Sequence, residues 1–268
     1  MSKISSDEWS KIRRFLFYTF AIAWSTEFLL IAAYHFKVIS GSLGLFFHFA
    51  TIAFGAGLAP AYAAFIVERR DRKITLRKFC KQIFYTDNLR RTISFTVPFS
   101  IMLWIVCITQ ESYLGNPWFY WFTLMFALIF GGGLEEIGWR GFLQPLLERR
   151  LSFLAATIIQ SIIWSIWHLP LWLVPDSMQG SYNFIAFALY CITFGCTLAA
   201  IHRLTRSIWA SVLVHVWGSL VLGGMYTVST LTNFPSIKTL LIYIAQIVLI
   251  VVICKIYDPK QRSEASLL

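Results

Sequence analysis

Lys238-Thr-Leu-Leu-Ile-Tyr-Ile-Ala-Gln-Ile-Val-Leu-Ile-Val-Val-Ile-Cys254 carries no charge after its first residue. A run of that kind approaches the roughly 20 apolar residues that an α-helix needs to cross a hydrocarbon layer of about 30 Å. Similar runs recur along nearly the whole chain. Of its 268 residues 57% are hydrophobic and only 13% charged, with a mean hydropathy of +0.66. A soluble domain has about 45 to 50% apolar and about 25% charged residues, so this chain lacks the charge to cover a water-facing surface. Disorder, coiled coil and a secreted disulfide scaffold are excluded as well. The five cysteines (Cys80, Cys107, Cys191, Cys196, Cys254) are odd in number and mostly lie within apolar runs, so they read as small buried hydrophobes.

The reading is therefore all-α: a polytopic membrane protein of about eight transmembrane helices, one membrane domain over 1–268. Runs bounded by charge or by Gly, Pro and Asn place the spans near Phe15–Phe36, Ser42–Val67, Thr92–Thr109, Trp118–Leu134, Leu151–Val174, Tyr182–Ile201, Ile208–Thr230 and Lys238–Cys254. The first run is too long, and too poor in small residues at its end, for a signal peptide.

An even number of spans puts both termini on one side, and retained loops should be rich in Lys and Arg. The N-terminal tail holds Lys3, Lys11, Arg13 and Arg14, the Glu68–Arg91 loop nine basic residues, the segment after span four Arg140, Arg149 and Arg150, the next loop Arg203 and Arg206, and the C-terminal tail three more. Together these are 21 of the 23 basic residues, and only Lys37 and Lys238 fall outside. The expected topology has both termini cytoplasmic, in the plasma membrane if the source is bacterial. The net charge of +10 is then mostly topological and no sign of nucleic acid. Ile74, Leu76, Phe79, Ile83 and Phe84 among those nine basic residues suggest a helix lying on an anionic inner leaflet.

Ionisable groups inside a bilayer are costly, so each is a functional candidate. Gly131-Gly-Gly-Leu-Glu-Glu-Ile-Gly-Trp-Arg-Gly-Phe142 places Glu135, Glu136 and Arg140 at the inner end of span four. Glu136 and Arg140, four apart, share a helix face with the acid N-terminal, the favourable order for a pair. Glu135, turned about 100° away, is left free. Taken alone, the cluster could merely end the span at the headgroups. Against that stand His168, followed by Pro170, and His215, on other spans. If spans four and five form a hairpin turning near Arg150–Ser152, Glu135 and His168 lie about 22 and 27 Å up adjacent helices. His215 begins lower, about 14 Å up span seven, and meets them only if that helix starts higher or tilts.

Two chemistries fit. Glu135 can be the general base that deprotonates water, with His168 orienting it, His215 donating to an oxyanion and Ser219, one turn on, as a second donor. Alternatively Glu135, His168 and His215 are ligands of a divalent metal such as zinc, with a fourth position open to water. The H-E-x-x-H zinc-protease signature is absent. Glu27 and His48 read as buried structural polar groups, the eleven tryptophans as interface belts and packing, and Gly131–Gly133 as a site of close helix approach.

Glu135-Glu136-x-x-x-Arg140 followed by Gly141-Phe142-Leu143, then Trp164 four before His168, then His215 in a late span, resembles the CAAX prenyl protease 2 and bacteriocin-processing (CPBP, or Abi) intramembrane protease family over about 119–222. The resemblance implies an endopeptidase with a cavity open to cytosol and lipid. Glu135 would be its catalytic glutamate, His168 its partner on water, Glu136 and Arg140 supporting residues, and His215 an oxyanion-stabilising group. The family is often called metalloprotease; the preferred reading is glutamate-dependent and requires no cofactor. The family commonly has Asn where this chain has Ser219. That departure motivates the alternative, a non-catalytic scaffold or immunity-type membrane protein holding peptides in the same cavity, with a proton-coupled transporter as a third class. The expected partner is a membrane-associated peptide or protein.

Overall fold

The computed structural model describes residues 6–175 and 177–257. Lys3, Lys260 and Arg262, counted above, lie outside them. Among the described residues, eight helical stretches are long and apolar enough to cross a membrane: Asp7–His35, Gly41–Arg72, Leu89–Ile108, Trp118–Leu147, Phe153–Leu173, Phe184–Thr205, Ile208–Met225 and Ile237–Tyr257, called spans one to eight below. Among the described residues there is no β-strand; two isolated bridges, Tyr113–Tyr226 and Leu222–Tyr226, are the only pairing of that type. The protein is an all-α, multi-pass membrane protein.

Local chemistry sets the helix starts. The side chains of Asn88, Ser152, Asn183 and Ser207 each accept a hydrogen bond from an amide of the first turn of spans three, five, six and seven. Spans two and six stop at Lys73 and Arg206, both in the left-handed region with φ of 53° and 59°. The basic loop after span two holds a short helix, Leu76–Ile83, whose Arg77, Lys78 and Lys81 are exposed while Ile83 is buried.

Spans five, six and seven are the most buried, and the others surround them with exposed Phe, Leu, Ile and Trp side chains suited to lipid. Several tryptophans stitch spans together rather than form belts: Trp24 Nε1 donates to the Trp167 carbonyl at 3.0 Å and Trp217 Nε1 to that of Ser100 at 2.8 Å. Spans two and four contain a π-helical turn, at Thr51–Ala56 and Trp139–Leu143, and span seven breaks at Leu222 and Gly223, where the backbone leaves the helical region. π-helical turns inside α-helices are frequent at functional sites.

Span four departs from the expected boundaries. It continues to Leu147 instead of ending at Leu134, so the glutamates lie within the span and do not terminate it. Arg140 is fully buried and is no mark of the cytoplasmic side. The Glu136 partner explains the difference, because a paired charge can stay inside where a lone one would end the helix.

The two ends of the bundle are built differently. At the basic end, Glu8 bridges Arg149 and Arg150, Arg14 meets Asp71, and Arg203 meets Glu148. At the other end, Glu111 after span three gathers the segment after span seven. Its carboxylate accepts from Thr227 Oγ1 (2.6 Å), from the amide and hydroxyl of Ser229 (2.8 and 2.7 Å) and from the amide and hydroxyl of Thr230 (2.7 and 2.5 Å). The amide of Leu114 on the Met225 carbonyl and that of Thr227 on Ser112 close the clasp. Burial alone would raise the Glu111 carboxyl, but the hydrogen bonds from Thr227, Thr230 and Ser229 hold it below the usual carboxylate range.

A carboxyl depressed in the folded state adds stability above its unfolded pKa and loses it as pH falls through the folded one. Thermal unfolding in detergent is therefore expected to show Glu111 stabilisation at neutral pH that disappears on acidification. Glu111→Gln, which sets amide hydrogens against donors, should cost about 1.5 to 3 kcal/mol at pH 7. A variant as stable as the wild type at both pH values would show that the clasp contributes nothing.

Candidate active site

The 3-10 turn Gly133–Glu135 and the helix that follows carry two adjacent acids in different directions. A side chain at Gly133 would meet Val216 Cγ2 at 2.7 Å, so glycine is what lets span four approach span seven this closely. Gly132 faces the ring of His215, whose Nε2 would lie 3.2 Å from a Cβ there.

Glu136 is completely buried, as is Arg140. Arg140 NH1 donates to Glu136 Oε1 at 3.0 Å, as the four-residue spacing predicts. The same Oε1 takes His215 Nδ1 at 2.8 Å, which the sequence did not indicate. Span seven thus reaches the level that the depth count left in doubt, and His215 binds Glu136 rather than standing apart. Arg140 NH2 also donates to the Gly195 carbonyl on span six at 3.4 Å.

Glu135, 4% exposed, is not free in the sense expected. Its Oε2 accepts from Trp164 Nε1 at 2.7 Å, while the carbonyl of Trp164 holds His168 Nδ1 at 2.8 Å. Trp164 is the residue that sequence reasoning missed. Its spacing of four from His168 was visible, but nothing in composition separates an indole that donates to a carboxylate from one that packs. Its ring lies between the two imidazoles, with centroid distances of 5.4 Å to His168 and 5.5 Å to His215, and the Arg140 guanidinium sits 5.4 Å above it.

The partners determine the tautomers. A carbonyl oxygen only accepts, so His168 carries its proton on Nδ1 and turns a lone pair outward at Nε2. Glu136 Oε1 already receives Arg140, so His215 Nδ1 donates to it. A neutral His215 then has an acceptor at Nε2. To donate to an oxyanion it must carry both protons, with Glu136 as the charge it faces.

The remaining candidates are placed as follows. Ser219 is half-buried at the last α-helical residue of span seven, one turn beyond His215, and is not among the hydrogen-bonded members of the cluster. Glu27 is buried in span one, with Oε2 unpartnered. Among the described residues, no three His, Cys, Asp or Glu side chains are placed to hold one metal ion. Glu135, His168 and His215 are not placed as such a set, although the hydrogen bonds to Glu135 Oε2, His168 Nδ1 and His215 Nδ1 leave Glu135 Oε1 and both Nε2 atoms with lone pairs. No step through a metal is derived.

This arrangement can be set beside known proteins. Residues 116–221 match the model of the Rce1-like family, described as type II CAAX prenyl endopeptidase Rce1-like. Over that segment, about two fifths of its length, the chain is similar to this family. A CAAX prenyl protease 2 of Methanococcus maripaludis is 41% identical over 56 residues, 21% of this chain and 21% of that protein. The chain thus aligns with about a fifth of the length of that curated relative. Glu135, Glu136, Arg140, Trp164, His168 and His215 all fall inside the family segment.

The two acids should respond differently to substitution. Glu136→Ala leaves Arg140 buried without its counter-charge, a loss of about 3 to 5 kcal/mol. Glu135→Gln still offers an oxygen to the Trp164 indole and should unfold at nearly the wild-type temperature. Thermal melts of both variants in one detergent check this, and equal losses would contradict the division of labour.

Proposed function

We propose that the chain is an intramembrane endopeptidase that hydrolyses a peptide bond of a membrane-associated protein or peptide. The family and the protease that the chain resembles support the reaction class. The observation that carries the reading is the linkage of Glu135 to His168 through one residue, Trp164. It leaves Glu135 Oε1 and His168 Nε2 as acceptors, a pair of groups suited to a water molecule and its proton.

In this reading Glu135 takes a proton from water while His168 Nε2 orients it, and the hydroxide attacks the scissile carbonyl carbon. The proton then passes to the departing amine. His215, in its doubly protonated form, donates from Nε2 to the oxyanion, with Ser219 as a second donor. Glu136 and Arg140 position His215. By the positive-inside rule the basic end, with both termini, faces the cytoplasm, of the plasma membrane if the source is bacterial. The basic loop around Leu76–Ile83 then lies against an anionic inner leaflet.

The test is cleavage of a panel of prenylated CAAX, leader and pheromone peptides by the purified protein, with and without a chelator. Glu135→Gln and His168→Ala should each lower turnover by about 10²- to 10⁴-fold while still accumulating in membranes. Cleavage should persist in the chelator. Full activity in either variant rejects the site, and chelator-abolished activity rejects the mechanism.

A further inference from the structure

A second polar feature runs from Glu136 away from the Glu135–His168 side toward the basic end. On span four Glu136, Arg140, Gln144 and Glu148 recur every four positions. Their contacts show a common face: Arg140 NH1 donates to Glu136 Oε1 at 3.0 Å and Gln144 Nε2 to Glu148 Oε1 at 2.8 Å. On span five Thr157, Gln160, Ser161 and Trp164 fall within about 100° of arc. The two faces meet at both levels, with Gln144 Nε2 donating to Thr157 Oγ1 at 2.9 Å and the Arg140 guanidinium over the Trp164 ring. Span six closes the seam at Gly195. A Cβ there would lie 2.1 Å from Ser161 Oγ and 3.2 Å from Arg140 NH2, so glycine is what lets both polar groups lie against the span-six backbone. The seam reaches the surface where Glu148 meets Arg203, both side chains partly exposed.

Inside it, hydrogen-bonding capacity goes unused. Gln160 and Ser161 are fully buried, and neither amide atom of Gln160 nor the Ser161 hydroxyl has a partner. The same holds for Glu136 Oε2, Arg140 Nε and Gln144 Oε1. An unsatisfied buried polar atom costs about 1 to 3 kcal/mol, so a seam of them needs a ligand. That ligand must both donate, to Glu136, Gln144 and the Gln160 oxygen, and accept, from Arg140 and the Gln160 nitrogen. A cation would meet the guanidinium and an anion the carboxylate. Water satisfies both kinds of atom.

We propose that this seam binds a file of hydrogen-bonded water joining Glu136 to the Glu148–Arg203 surface. Its role, resting on the hydrolytic reading above, is to resupply the site from the basic end. Each peptide bond cut consumes one water, which gives its hydroxyl to the acyl carbon and its hydrogen to the amine, and the file replaces it.

The test is hydroxyl-radical labelling by X-ray pulses in ¹⁸O-water on the purified full chain, which marks buried side chains that touch ordered water. Trp164 and Cys196, the buried neighbour of Gly195, should take up label well above the buried Phe15 of the core. Gln160→Leu should reduce that uptake several-fold, with exposed Trp118 unchanged, and Ser161→Ala provides a second variant. Label in Trp164 and Cys196 no higher than in Phe15 overturns the proposal, as does uptake that neither variant alters. So does a Gln160→Leu protein that melts higher than wild type, the result for an amide with no partner at all. The same labelling of Glu135→Gln needs no turnover, so failure of the protease reading leaves the water site standing. In active protein Gln160→Leu should lower kcat with KM unchanged, and an unaltered kcat overturns the supply role.

Discussion

A buried guanidinium is the constraint around which the centre of this protein is arranged. Arg140 has no exposure, and an unpaired charge there would cost more than the fold could offset. It is met by Glu136 four residues earlier, by the Gly195 carbonyl from span six and by the face of Trp164 from span five. Satisfying one side chain therefore fixes the relative placement of three spans. Glu136, once held by Arg140, has an oxygen to offer His215, which brings in a fourth. The geometry of the candidate site follows from this arrangement.

The same network assigns protons. Each imidazole is anchored through Nδ1 by a group that accepts there, which leaves Nε2 for other work. One anchor is a neutral carbonyl and the other a carboxylate. Two histidines that look alike in sequence are thereby given different electrostatic surroundings, and different work can be asked of them.

Much of the fold was legible because long apolar runs have few alternatives in a chain with so little charge. The span count and most boundaries follow from that. Span four was the exception, since Glu135, Glu136 and Arg140 lower the local hydropathy and make a buried segment look like a loop. Mutual pairing of charges does not register in a scale that scores residues singly. The Glu136–Arg140 contact was readable from spacing, but the bond from His215 to Glu136 joins residues 79 apart and depends on how spans four and seven meet. Trp164 was noticed for its position and not for its N–H. Glu111 gave no signal, because its partners are backbone amides and hydroxyls on a distant loop, as common in sequence as they are specific in space.

The contrast between the two ends of the bundle has a mechanical consequence. The Glu111 clasp is a compact set of short hydrogen bonds on a buried carboxylate, little affected by dissolved salt. The bridges at the basic end join partly exposed side chains, whose attraction ions screen over about 8 Å at physiological strength. The bundle is thus pinned at one end like a fan at its rivet, and its blades can part at the other, by an amount that ionic strength tunes.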